Sequence, residues 1–245
     1  DGQPRIAFIT PNSLHGAICD IGCLLHGILV MPLSPVIGQE NLLWVLEKME
    51  VNIVVSGGMD QHHAAASALE QFQGEVKHFT LDNFGSGESE NIIETANKLS
   101  TSAVDSILDK QPRFQMDDTA TVLFTSGSTG KPKGVVFTVG NMVTKRFARA
   151  AALPEVGVDE KLLCFLPLYH TFGRFLEMLG MLFWGGTYVF VGNPSADTLL
   201  SRLKEIQPTG LISIPLRWSQ IRDACGDDTS NFREVTGERL RWGLS

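Results

Sequence analysis

"TATVLFTSGSTGKPKGVVFT", Thr119–Thr138, decides how the rest of the chain is read. Its ends, "TATVLFT" and "GVVFT", are β-branched and apolar and read as two strands. Between them lies "FTSGSTGKPKG", which packs three glycines, four hydroxyl side chains and two lysines into eleven residues. Gly127 and Gly130 open backbone conformations closed to other residues, so amide N–H groups can converge on one point. Thr125, Ser126, Ser128 and Thr129 add hydroxyl donors, and Lys131 and Lys133 add positive charge. A plain hairpin turn needs only two to five residues, so this loop is longer and richer in donors than turning requires. It is suited to holding an anion with several oxygens.

Two familiar phosphate loops do not fit. In the pattern G-x-x-x-x-G-K-[ST], the glycine five residues before Gly130 would fall on Thr125, and the hydroxyl residue after Lys131 is Pro132. The dinucleotide pattern G-x-G-x-x-G is only half present, and a strand rather than a helix follows it.

Outward from the loop, apolar runs alternate with amphipathic ones. "RIAFIT" (5–10), "LVMPLS" (29–34), "VNIVVSGG" (51–58) and "VKHFTLD" (76–82) read as strands, with helices over 14–28, 38–50 and 61–72 between them. Strands that are apolar throughout, spaced by helices, predict an α/β fold with parallel-rich sheets covered by helices. Asn83 to Pro112 is polar and reads as a surface linker carrying one helix over 92–108. Beyond the loop, Asn141 is placed to cap a helix running to about Ala152. "KLLCFLP", "TYVFVG" and "PTGLISIP" give further strands, with a helix over 175–183. These elements divide into a first α/β subdomain over 1–115 and a second over 116–245 that carries the loop.

Composition narrows the functional classes. Hydrophobic residues at 43% and charged ones at 19% are those of an ordinary globular chain. A net charge of −7 argues against wide contact with nucleic acid, which needs a basic face. The four cysteines form no C-x-x-C pair, so a zinc or redox dithiol site has no support, and a reducing cytoplasmic setting fits. Cys19 and Cys23 share a helical face and read as small packing residues. The apolar run 175–191 contains Glu177 and Gly185-Gly186, and reads as a helix, a turn and a strand rather than a membrane span.

"LFTSGSTGKPKGV" resembles the phosphate-loop signature of the adenylate-forming (AMP-binding) superfamily, the enzymes that include acyl-CoA synthetases, luciferases and peptide-adenylating domains. "GILVMPLSPVIGQENLLWVLEKMEVNIVVSGG" and "LPLYHTFGRFLEMLGMLFWGGTYVFV" are similar to two further segments of that family, so the resemblance covers nearly the whole chain. It implies activation of a carboxylic acid by ATP to an acyl-adenylate and then transfer to CoA, with magnesium beside the phosphates. It assigns the β- and γ-phosphates to Thr125, Ser126, Gly127, Ser128, Thr129, Gly130, Lys131 and Lys133. In the second segment, His170 falls where relatives orient the substrate carboxylate, and Phe172 and Phe175 fall where the acyl pocket is lined. "HTFGR" leans toward the fatty acyl-CoA synthetase branch. The run 171–187 lacks the Asp that amino-acid activators use to hold an amine.

Aryl- or amino-acid adenylation, and a nucleotide-binding module without turnover, are the alternatives. Relatives carry Thr-His-x-Asn after the loop, where this chain has "TVGN". The family's adenine-binding motif, with its magnesium-binding Glu, the ribose-binding Asp and the terminal catalytic Lys have no counterpart here. The reading is therefore of the central piece of a larger enzyme, inactive as 245 residues, with peripheral membrane contact left open by a fatty substrate.

Overall fold

The structure is a computed structural model, and it describes residues 4–83, 89–110, 112–125, 130–192, 195–226 and 229–245. The chain divides into two compact units, 1–143 and 144–245.

Unit one begins β1 (Arg5–Ile9), α1 (Leu14–Leu25), β2 (Leu29–Leu33), α2 (Gln39–Lys48), β3 (Ile53–Ser56), α3 (Met59–Gln71) and β4 (Lys77–Thr80). It continues β5 (Glu90–Asn91), α4 (Ile92–Asn97), α5 (Thr101–Leu108), β6 (Thr119–Thr125) and β7 (Lys133–Thr138). The strands form one sheet in the order β5-β4-β3-β1-β2-β6-β7. All pairings are parallel except β6–β7, the antiparallel hairpin at the edge.

Strand β1 shows why the runs are apolar throughout. Ala7 and Ile9 pack on one face with Leu42, Val45 and Val54, while Ile6 and Phe8 pack on the other with Cys23 and Val55. Both faces of a central parallel strand are covered, so neither side-chain register can be polar. Strands β2 and β6 share a single bridge, Val30↔Thr121, where the Thr121 hydroxyl donates to the Val30 carbonyl at 2.5 Å. A side chain there supplements a thin backbone ladder.

Local signals set the helix ends. Ser13 Oγ accepts from Gly16 N–H at 3.0 Å and starts α1. The single helix expected over 92–108 is two, because Ser100 accepts from Ala103 N–H and caps a fresh start. The helix α6 (Val139–Ala152) begins two residues before Asn141. Thr138 Oγ1 accepts from Asn141 N–H at 3.2 Å, and Asn141 Oδ1 accepts from Thr138 N–H at 3.1 Å. Asn141 is thus the third-position partner in a reciprocal capping box, and Thr138 is the cap.

Unit two takes up most of α6 and then β8 (Lys161–Cys164), a π-helical segment Phe172–Met178, α7 (Leu179–Trp184), β9 (Thr187–Phe190) and α8 (Ala196–Ile206). It ends with β10 (Gly210–Ile212), α9 (Pro215–Cys225), a 3-10 turn Thr229–Asn231, α10 (Phe232–Thr236) and β11 (Trp242–Leu244). The pairs β8–β9 and β10–β11 are both parallel. Glu160 joins them: its carboxylate accepts from Thr209 Oγ1, from Arg241 Nη2 and, at 3.0 Å, from Trp242 Nε1. Leu162, Leu163, Met181, Leu199, Leu203, Leu211 and Ile212 make the core around these strands.

The expected boundary at 115/116 differs from the observed 143/144. The loop-bearing strands β6 and β7 complete the first unit's sheet through β2, and so stay with it. As expected, 175–191 is helix, turn and strand. Gly185 closes α7 in the left-handed region at φ +71°. Among the described residues no helix is long and apolar enough to cross a membrane.

Candidate active site

Of the phosphate-loop candidates, Thr125 and Lys133 end the β6–β7 hairpin strands, and Gly130 and Lys131 lie just before β7. The register runs Leu123↔Val135, Phe124↔Gly134 and Thr125↔Lys133, so Thr125 and Lys133 face each other across the last rung before the loop. Both are exposed. Ser126, Gly127, Ser128 and Thr129 lie outside the described residues. Gly130 has φ +80°, a conformation that suits glycine, and a Cβ there would meet open space. Gly134 has a different reason. A Cβ at that position would come within 3.0 Å of Val122 Cγ1 and 3.3 Å of Phe124 Cε1, so glycine lets the two strands close beneath the loop.

The two lysines are not equivalent. Lys131 Nζ donates to Glu40 Oε1 of α2, and this bond and charge hold the Glu40 carboxyl below its usual range. Lys133 projects from β7 beside the loop. The engagement of Lys131 bridges 91 residues of sequence, and no local pattern announces it.

His170 lies in unit two, in the turn between β8 and the π-helical segment. Its N–H donates to the Pro167 carbonyl at 3.1 Å, and its own carbonyl accepts from Arg174 N–H at 3.0 Å. The imidazole stays solvent-accessible, packed at 4.4 Å between centroids against Tyr169. Partial desolvation holds it below the ordinary histidine range, so the ring is neutral at pH 7 and able to donate one hydrogen bond and accept another.

Sequence reasoning passed over the residue that allows this turn. At Gly173 a Cβ would lie 2.4 Å from the Pro167 carbonyl oxygen and 2.7 Å from that of Leu166. Only glycine lets the π-helical segment press against the backbone that carries His170. The glycine is visible in "HTFGR", but its reason lies in atoms six and seven residues back.

Phe172 is half-buried against the unit's main core, and Phe175 is buried with the Arg174 guanidinium 5.5 Å from its ring centroid. Glu177, also buried, accepts from Tyr188 Oη at 2.9 Å. Burial pushes the Glu177 carboxyl well above the carboxylate range, and burial beside Glu177 and Cys164 pushes the Tyr188 phenol up. Away from this turn, His62 is buried and stacks on His78 at 5.1 Å, and Cys19, Cys23, Cys164 and Cys225 form no disulfide.

The AMP-binding enzyme family model matches residues 1–244. The chain belongs to the AMP-binding enzyme family. Long-chain-fatty-acid–CoA ligase FadD15 of Mycobacterium bovis is 28% identical over 232 residues, covering 93% of this chain and 37% of that protein. Fatty acyl-CoA synthetase A of Dictyostelium discoideum is 24% identical, covering 98% of this chain and 36% of that protein. The chain thus spans little more than a third of the length of these two relatives. Among solved structures, a red-emitting luciferase from Phrixothrix hirtus superposes with a TM-score of 0.81 at 17% identity, over 98% of this chain and 45% of its own. ATP-bound MatB from Rhodopseudomonas palustris gives 0.73 at 20% identity, over 100% and 50%. These likenesses establish the fold of an AMP-binding enzyme, with a mainly parallel sheet flanked by helices.

Proposed function

We propose that the protein carrying this chain activates a carboxylic acid, of the fatty acid class, with ATP and passes the acyl group to CoA. The observation that carries the reading is the hairpin β6–β7, which presents Thr125 and Lys133 side by side at the mouth of a Gly/Ser/Thr loop in a chain of this family. The curated relatives that act on long-chain fatty acids supply the substrate class.

In the first step a carboxylate oxygen attacks the α-phosphorus of ATP, and the bond from that phosphorus to the pyrophosphate oxygen breaks. Charge grows on the leaving pyrophosphate. Hydroxyl and ammonium donors aimed at that oxygen stabilise the growing charge. Thr125 and Lys133 are the described donors at the hairpin tip, and Ser126 to Thr129 and Gly130 complete the loop. Lys131 reaches the phosphates by leaving Glu40. His170, neutral and held by the turn at Pro167, orients the carboxylate as a hydrogen-bond partner. Phe172 and Phe175 supply the apolar wall for the acyl chain. In the second step the CoA thiol sulfur attacks the acyl carbonyl carbon, and the carbon–oxygen bond to AMP breaks.

A magnesium ion bound beside the phosphates would neutralise phosphate charge, taking mainly phosphate oxygens and water and few protein groups. The described loop donors are a hydroxyl and ammonium groups, which suit phosphate rather than metal. Among the described residues no three carboxylate, imidazole or thiol groups gather to hold a metal.

The test is pyrophosphate release by the full-length protein with ATP, magnesium and a panel of fatty, aryl and amino acids. Release that depends on fatty acids, falling about 10²-fold or more in Lys133→Ala, is the expected result. Release with aryl or amino acids alone would reassign the substrate, and ATP binding without release from any acid would refute the enzyme reading.

A further inference from the structure

Helix α6 carries two half-buried arginines one turn apart, Arg146 and Arg149. Both nitrogens Nη1 and Nη2 of Arg146, and Nη1 of Arg149, are buried and have no hydrogen-bond partner. The Arg146 guanidinium lies 5.6 Å from the Trp184 ring centroid. Gly180 leaves it room: a Cβ there would sit 2.9 Å from Arg146 Nη1. Burial, reinforced by the charge of Arg149, brings Arg146 down to about 10, and burial also lowers Arg149.

Two half-buried cations of like sign repel, and each buried N–H donor without an acceptor carries a desolvation cost. The compensations in place are partial. Stacking on Trp184 offsets charge at one face of Arg146 but accepts none of its in-plane N–H bonds. The C-terminal turn of α6 favours a cation at Arg149, again without supplying an acceptor for Nη1. What the pair lacks is an acceptor with negative charge and several oxygens. Guanidinium forks match such a group bidentately.

We infer that Arg146 and Arg149 form an anion site in unit two, taking the carboxylate or phosphate group of a small molecule, with Trp184 and Gly180 holding Arg146 in place. The site is built from α6 and α7 alone and does not depend on the acid-activation reading.

The test measures thermal unfolding of the full-length protein in chloride, and in inorganic phosphate or acetate at matched ionic strength. One of the two oxyanions should raise the melting temperature by about 3 °C or more near saturation. The rise should persist in Lys133→Ala, which disables the phosphate loop, and vanish in the double variant Arg146→Met/Arg149→Met. Phosphate acting alone assigns a phosphate ligand, and acetate acting alone a carboxylate. No ion-specific rise in the wild type, or an equal rise in the arginine variant, overturns the site. Should the double variant fail to fold, the same titration is read on Trp184 emission, taken as wild type minus Trp184→Phe. A saturable change supports the site, and a flat response overturns it.

Discussion

On the proposed function, Gly173→Ala should lower acyl-adenylate formation without touching a group that meets substrate. The added Cβ would lie 2.4 Å from the Pro167 carbonyl oxygen and 2.7 Å from that of Leu166. A carbon tolerates a carbonyl oxygen at about 3.3 Å, so the π-helical segment and the His170 turn must part by roughly 0.9 Å at the tighter contact. Both obstacles are backbone atoms, and no rotamer can relieve them. The cost expected from such overpacking is about 1–3 kcal/mol of stability. The displaced backbone is that of the turn closed by His170 N–H on the Pro167 carbonyl. If His170 orients the carboxylate, a shift approaching 1 Å costs on the order of 10²-fold in acyl-adenylate formation. The assay is fatty-acid-dependent pyrophosphate release by the full-length protein, paired with urea unfolding. Gly22→Ala in α1 is the control, since a Cβ there meets nothing within 4 Å and a helix interior favours alanine. A Gly173→Ala protein with wild-type urea midpoint and a rate within about twofold would refute the reasoning, since the reasoning calls for a loss near 10²-fold.

Acid should loosen unit one through His78. Burial and the neighbouring His62 depress its imidazole to about 4, against 6.5 when free, while Ser56 Oγ and His78 Nε2 share a hydrogen bond of 2.8 Å. The unfolded chain therefore binds the proton first, and the stability present above pH 6.5 is lost as pH falls toward 4. With the ring partly reached by solvent, the loss amounts to about 1–2 kcal/mol. Urea midpoints at pH 7 and pH 4.5 should differ less in His78→Gln than in wild type, and an unchanged pH dependence in the variant would count against the assignment. Glu160→Ala should cost unit two about 2–3 kcal/mol, because losing the buried carboxylate leaves the Thr209, Arg241 and Trp242 donors without their acceptor. A urea midpoint unchanged by the substitution would show that water replaces the carboxylate at no cost.

The strands of the β6–β7 hairpin and the alternation of apolar strands and amphipathic helices were legible along the chain. Each depends on neighbours close in sequence: backbone freedom at Gly130, β-branched runs, a strand broken by proline. The elements missed were β5, β11 and α8 to α10. The two strands are only two or three residues long, too short for an alternating pattern to show, and the three helices lie beyond the last recognisable motif. The compact units meet at 143/144 rather than at the polar stretch for a related reason. A polar stretch looks like a linker, whereas the sheet that recruits β6 and β7 is defined by hydrogen bonds to β2, some 90 residues earlier.

The functional atoms divide along the same line. The residue types of the phosphate loop and of His170 are written locally, because their chemistry needs particular side chains at short spacing. That Lys131 is held by Glu40, that Gly173 must lack a Cβ, and that Arg146 and Arg149 bury guanidinium nitrogens without acceptors are facts of three-dimensional packing. Burial and charge pairing act through space between segments that the chain order keeps apart, and only the folded arrangement can state them.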